Sequence, residues 1–331
     1  MTLTPFEHLQ ADEEKHVTHM IEIMRRKQEK DFTPGSTLRD AHAKHTGLLA
    51  ATFTVEPALA PEFRVGLFAK PATFDAWVRF SNSNGVPQPD FVKDLRGCAI
   101  KLRDVPGERI PESDEQTTQD FVLMNIPTMP LGTVKLFHDV IYLSTEWSPL
   151  LFVAKMLVTG HKHLLKELQD GQVNPTSPAD IRYWSTTPYL FGASRVVKYS
   201  LVPTSSYTSA MPAVLSDEYL GDNLQHHLAR SEATFDFKVQ LRGDETAMPI
   251  EDASVEWSED QAPFVKVATL RIPRQQFRTP ERAELAEALA FSPGHALVEH
   301  RPIGGINRGR LRIYREQSAF RQQRDRRPRM T

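Results

Sequence analysis

Cysteine is nearly absent. The one thiol in 331 residues, Cys98, excludes an internal disulfide framework and any cysteine-rich zinc site. Long apolar runs are absent too: the most apolar stretch, Ser148 to Val158, is interrupted by Lys155 and is too short to span a bilayer. It reads as a buried helix. No charge of one sign dominates, with 40 basic against 42 acidic residues and a net charge of −2. Low-complexity tracts and internal repeats do not occur. The first 17 residues carry neither an apolar core nor a basic leader, so the reading expects no export signal and a cytoplasmic protein. There is no glycine-rich phosphate loop and no Gly-x-Ser-x-Gly elbow.

What is present is ordinary globular chemistry, 40% apolar and 25% charged, in a chain long enough to enclose a prosthetic group. Residues 13–30 look helical, charged and exposed, an N-terminal arm over residues 1–33 ended by Pro34-Gly35. Alternating polar and apolar residues predict strands at Thr52 to Val55, Ala76 to Ser81 and Phe235 to Leu241; Arg96 to Leu102, Val196 to Val202 and Pro263 to Ile272 also read as strands, and the apolar run Phe121 to Met124 leads into Asn125. Between them, Lys135 to Leu168 has helical spacing with a break at Ser148-Pro149. Thr279-Pro280-Glu281 is a helix start, with a capping hydroxyl, then proline, then an acid. Runs of strands with helices between and after them argue an α+β fold.

Charge concentrates at the end. From Arg308 onward nine arginines face Glu316 and Asp325, a balance of +7, and residues 322–331 read as a disordered basic tail. No nucleic-acid-binding module accompanies it, so no nucleic acid is expected. His161 with His163 reads as a polar helix end, and His226-His227 as surface.

Four segments carry the chemistry when taken together: Leu38 to Lys44 with His42, Val78 to Ser81 followed by Asp94 to Gly97, Met124 to Pro127, and Gly309 to Tyr314 with Arg321 seven residues on. Arg310 and Tyr314 share one helix face, where a guanidinium favours a phenolate. An anionic tyrosine is a hard ligand suited to ferric iron. Asn125 also fits a turn cap before Pro127.

This ordered set resembles the catalase superfamily of haem proteins, from about Leu38 to Arg321. The resemblance implies an antiparallel β-barrel core with surrounding helices, a single haem domain over residues 34–321, and haem, of the b type, as cofactor. It implies His42 as the distal catalytic histidine, Ser81 as its hydrogen-bond partner and Asn125 as the distal amide that orients a peroxide. It implies Tyr314 as the axial ligand of the haem iron, with Arg310 beside it, and Arg39, Arg79 and Arg321 as partners of the haem propionates. Phe291 to Gly294 resembles the segment before the proximal helix, and Phe137 is the candidate haem-stacking ring from spacing. The chain ends soon after Arg321, so it resembles the minimal catalase-related proteins without a C-terminal helical domain. These include hydroperoxide-metabolising ones such as coral-type allene oxide synthase. Ala41 stands where catalases usually carry valine. The implied activity is that of a haem-dependent peroxidase reducing hydrogen peroxide or an organic hydroperoxide with a small organic reductant, with low or modest catalase activity. A lipid hydroperoxide isomerase or lyase and a non-catalytic haem-binding protein are the alternatives. A homodimer is the default assembly.

Overall fold

The computed structural model describes residues 3–326. Its strands are β1 (His45–Val55), β2 (Thr73–Asn82), β3 (Arg96–Leu102), β4 (Gln119–Met124), β5 (Tyr183–Trp184), β6 (Tyr189–Leu190), β7 (Val196–Pro203), β8 (Ala233–Leu241) and β9 (Phe264–Ile272). All pair antiparallel, in the order β5-β4-β3-β2-β1-β9-β8-β7-β6. A second pairing of β5, with β7, closes eight of them into a barrel and leaves β6 as a spur on β7. Closure removes the open edges that a sheet would otherwise expose. The antiparallel barrel expected from the resemblance is therefore present.

The two-residue period of a strand sends alternate side chains inward. Phe53, Phe121, Tyr199 and Phe237 meet inside, with centroids 4.6 Å apart for Phe121–Phe237 and 5.1 Å for Phe53–Phe237. Each such ring contributes about 1.5–3 kcal/mol by leaving water. Cys98 joins this core, and burial pushes its thiol pKa well up, so it packs as an inert apolar group. The outward residues form cross-strand rows. Ser81 faces Gly97, which faces Met124; Arg79 faces Ala99, which faces Val122. This outer patch is the floor of the site.

Seven α-helices accompany the barrel among the described residues: α1 (Glu13–Asp31), α2 (Val134–Tyr142), α3 (Pro149–Val158), α4 (Lys162–Gly171), α5 (Tyr219–Arg230), α6 (Pro280–Ala288) and α7 (Gly305–Asp325). The break at Ser148-Pro149 is there, with Ser148 Oγ accepting from Leu150 N–H. Thr279 Oγ1 caps α6 as the sequence predicts.

Four expectations need correction. The apolar stretch Ser148 to Val158 forms a helix, α3, but not a buried one: Leu150, Leu151, Val153, Leu157 and Val158 are exposed, and Phe152 and Met156 are its buried residues. The N-terminal helix is not an exposed arm: Val17, Met20 and Ile21 are buried against Val134 of α2 and Ile313 of α7. Their spacing, with Met24, is an apolar stripe that the many charges on the other faces conceal. The basic tail is helical as far as Asp325, whose carboxylate accepts from Gly35 N–H and Thr37 N–H; residues 327–331 lie outside the described residues. Upstream on α7, buried Arg308 is held by Glu7, Glu13 and Glu251, and Arg312 by Glu14 and Glu316. Finally, His227 is buried on α5, packed against the Tyr207 ring at 4.7 Å.

Candidate active site

His42 lies in the bend just before β1, at φ 56°, an uncommon backbone region for a residue with a side chain. The bend is fixed from both sides. His42 N–H donates to Ser83 O, and Arg79 donates to His42 O at 2.8 Å. The imidazole Nδ1 stands 3.0 Å from Ser81 Oγ. Room for this pair depends on Gly97: a Cβ there would lie 2.6 Å from the His42 ring and 2.9 Å from Ser81 Oγ. Loss of water around the ring, reinforced by the positive charges of Arg79, Arg310 and Arg39, lowers the His42 pKa to about 3. The imidazole is thus neutral at ordinary pH.

Across the cavity stands α7. It starts at Gly304, φ 87°, where a Cβ would meet Ile250 O at 2.5 Å. Arg310, Tyr314, Gln317 and Arg321 follow at helical spacing on the face that lines the cavity. Arg310 donates to Thr187 Oγ1 and Asn307 Oδ1, each at 3.0 Å, and reaches Tyr314 Oη at 3.5 Å. Burial opposes the charge of Arg310, but Tyr314 and Tyr189 outweigh it and raise its pKa.

Between these walls lies a cavity of about 340 Å³, within the roughly 300–1,000 Å³ range of small-molecule and cofactor sites. His42, Ser81, Arg39, Arg79, Phe137, Arg310, Tyr314 and Arg321 all line it. Phe137 is set between two apolar clusters, one with Val17 and Ile313, the other with Leu131 and Phe152.

Asn125 is not on the wall. Its Oδ1 accepts from Arg96 N–H at 2.7 Å and its Nδ2 donates to Gly171 O at 2.8 Å. The amide ties the end of β4 to the first residue of β3 and the last of α4, 29 and 46 residues away, so neither the local turn cap nor the expected contact with a peroxide is what this geometry shows.

At one end of the cavity three guanidiniums gather round one carboxylate. Arg39 and Arg321 reach Glu287 at 2.9 and 3.1 Å. Burial acts to raise the Glu287 pKa, but Arg39, Arg79 and Arg321 outweigh it and hold the carboxyl at about 2. The pKa of Arg79 is depressed by burial and then by Arg39, and its Nε is buried with no hydrogen-bond partner. Three guanidiniums stand here, with Glu287 and the buried Asp40 as the nearby acids, and burial raises the Asp40 pKa. Such a guanidinium cluster fits a ligand carrying two carboxylates, as haem does, and Tyr314 supplies a hard oxygen donor on α7, the helix that also carries Arg321. The residues present therefore fit haem.

Glu287 was not distinguished by the sequence, where it is one acid among 42, and no local signal marks it. Gly97 appeared only as part of a strand entry. A further wall group, His295, is clamped between Asp120 and Asp114, at 2.7 and 2.8 Å, beside buried Lys101.

A closed antiparallel barrel, with an enclosed site between its outer wall and a long helix, defines a catalase-like fold. Solved structures with this fold align over 97% of the chain. They include a fungal catalase (18% identity, TM-score 0.68, 65% of that chain covered) and a bacterial catalase (18% identity, TM-score 0.63, 63% covered). Catalase A from Saccharomyces cerevisiae aligns at 15% identity and TM-score 0.70, with 67% of it covered. The chain thus spans about two thirds of the length of these catalases. No protein-family model and no curated protein matches the sequence. No helix among the described residues is long and apolar enough to cross a membrane.

Proposed function

We propose that this chain binds haem in the cavity between β2–β4 and α7 and uses it to reduce hydrogen peroxide or an organic hydroperoxide. The observation that carries the reading is the joint lining of one cavity by the His42–Ser81 pair, the Arg310–Tyr314 pair and the guanidiniums of Arg39, Arg79 and Arg321. Haem, when bound, supplies the redox chemistry. Tyr314 would hold its iron, with Arg310 donating toward the phenolic oxygen. Arg39, Arg79 and Arg321 would hold its two propionates, and Phe137 would flank the ring.

The acid–base work falls to His42. A neutral imidazole accepts a proton from the peroxide and returns it to the departing oxygen. Ser81 holds Nδ1, which leaves Nε2 as the atom that moves the proton. A ring fixed between Ser81 and Gly97 has lost its rotational freedom before substrate arrives, so orientation adds to the rate. A small organic donor would return the electrons in peroxidase turnover.

A lipid hydroperoxide as substrate, isomerised in place, is the second reading. Ala41 supports it, since its small side chain sits at the cavity beside His42, with Met129, Leu131 and Leu168 adding apolar wall.

The test begins with the visible spectrum of the protein after haem addition. A high-spin ferric Soret band that changes in Tyr314→Phe supports the site. His42→Ala should keep haem and lose peroxide turnover. Absence of a Soret band sinks the reading; unchanged turnover in His42→Ala, or none in the parent, leaves a haem-binding protein without catalysis. Comparing hydrogen peroxide with a polyunsaturated fatty-acid hydroperoxide separates the two enzymatic readings.

A further inference from the structure

The helix α3 presents apolar side chains to water. Only Phe152 and Met156 are buried, in a cluster with Leu131 and Phe137. Leu150, Leu151, Val153, Leu157 and Val158 are exposed, Leu150 at 77% and Val158 at 88%, and Trp147 just before the helix stands at 66%. A single exposed aliphatic side chain needs no explanation. Six large ones within twelve residues form a patch, and such patches mark surfaces that meet a protein or a membrane.

Charge decides between the two. From Trp147 to Lys166 the chain carries three lysines, two histidines and no acidic residue. Lys155 belongs to α3 itself, half-buried, with Asp139 at 2.7 Å. Lys162 and Lys166 follow, exposed, in the first two turns of α4. Lys166 meets Asp170 in a surface pair of little worth in water. His161 and His163 lie beside them, 6.3 Å apart. An apolar face with a basic rim is complementary to an anionic bilayer: the acyl boundary takes the aliphatic side chains and the headgroups take the ammonium groups. Trp147 adds the amphipathic ring that settles at headgroup level. A second copy of this chain fits less well, since a two-fold contact through this face gathers two copies of the same acid-free basic stretch into one interface.

We propose that the exposed face of α3, with Trp147, docks on the surface of a bilayer that contains anionic lipid. The helix has 10 residues and lies along that surface, being too short to cross it. Its inner face backs the cavity. Phe152 and Met156 pack with Leu131 and Phe137, and these two line the cavity, as does Leu168 of α4. One layer of side chains therefore separates the docked face from the cavity wall. Docking brings an apolar hydroperoxide formed in the bilayer close to the site. That consequence rests on the lipid hydroperoxide reading above; the docking itself does not.

The experiment uses the full-length protein and vesicles of phosphatidylcholine with and without phosphatidylserine, read by flotation and by tryptophan fluorescence. The expected result is binding to the anionic vesicles, weaker binding to phosphatidylcholine alone, and release as salt is raised. Fluorescence should shift to the blue on binding and lose that shift in Trp147→Phe, because Trp147 is the exposed tryptophan among four. Leu150→Glu/Val158→Glu alters side chains that are already in water, so circular dichroism should be unchanged. Its vesicle affinity should fall at least about 10-fold, which is about 1.4 kcal/mol. Leu157→Gln carries the same comparison if that variant loses its fold. Lys162→Glu/Lys166→Glu should lose the preference for anionic lipid. Val214→Glu, at an exposed apolar position outside the patch, should bind as the parent does.

Absence of vesicle binding by the parent overturns the proposal, as does affinity unchanged in Leu150→Glu/Val158→Glu. Equal binding to the two vesicles overturns it too, since the basic rim would then contribute nothing. A dimer seen by sedimentation, dissociated by the same double variant and indifferent to vesicles, assigns the face to a second copy instead. Haem uptake is scored separately: vesicle docking without a Soret band ends the preceding reading and keeps this one, and a Soret band without docking does the reverse.

Discussion

His42 and Ser81 touch at 3.0 Å across a space that exists because residue 97 has no side chain. Strand pairing sets Gly97 directly opposite Ser81, so the hydrogen bond and its clearance are products of one register. Gly97→Ala should push the imidazole out of line while leaving the barrel intact. Peroxide turnover should drop on the order of 100-fold, as displacements of about 1 Å do, with an unchanged circular dichroism spectrum. Turnover near that of the parent would show that His42 does not need this position.

The guanidinium cluster makes two opposite expectations. Arg79→Leu removes one of the three guanidiniums and should weaken haem binding by roughly 10-fold or more, the effect of one charged hydrogen bond. Glu287→Gln removes the carboxylate that Arg39 and Arg321 both reach, and should destabilise the haem-free protein. Haem titration and urea unfolding, run on both variants, separate the effects. Equal haem affinity in Arg79→Leu and the parent would remove Arg79 from the site.

Acid should unfold the haem-free protein earlier than its composition suggests. Burial holds His42 and His300 at pKa values of about 3, and burial with the Arg79 charge holds His45 at about 4. Unfolded, each titrates near 6.5. Above that pH neither state takes the proton. Below it only the unfolded chain does, so each group costs about 1.4 kcal/mol of stability per pH unit. Glu287 adds a further loss as pH falls from 4.5 toward about 2. Urea midpoints should decline from pH 6.5 to 4, with a shallower decline in His300→Gln. A flat profile would show that these rings take protons within the fold.

Lys101 is fully buried among Glu115 and Asp120. Lys101→Met removes the cation at the centre of two buried carboxylates and leaves His295 as the group that faces both. The expected loss is about 3–5 kcal/mol, the cost of breaking a buried ion pair by removing one partner. Thermal or denaturant unfolding reads it directly, and a loss below about 1 kcal/mol would mean that the carboxylates find water.

Strands were readable because alternation is local. Arg96 to Leu102 runs as a strand over the residues the pattern predicts, and the helix break at Ser148-Pro149 falls where the cap and the proline stand. The α1 stripe was also in the sequence, at Val17, Met20, Ile21 and Met24, but charge on the other faces of that helix masked it. Asn125 was misjudged for a different reason. An amide before a turn serves backbone or substrate with equal ease, and its neighbours Arg96 and Gly171 lie far away in the chain.

The sequence by itself determined the alternating strands, the helix caps and the types of side chain gathered at the site, because these depend on neighbours a few residues apart. Closure of the barrel through the two-residue strand β5 was decided only in three dimensions. So was the choice of Glu287, from among 42 acids, as the carboxylate within the guanidinium cluster. Both depend on contacts between segments 16 to 248 residues apart, which pairing register and packing bring together and which no local pattern encodes.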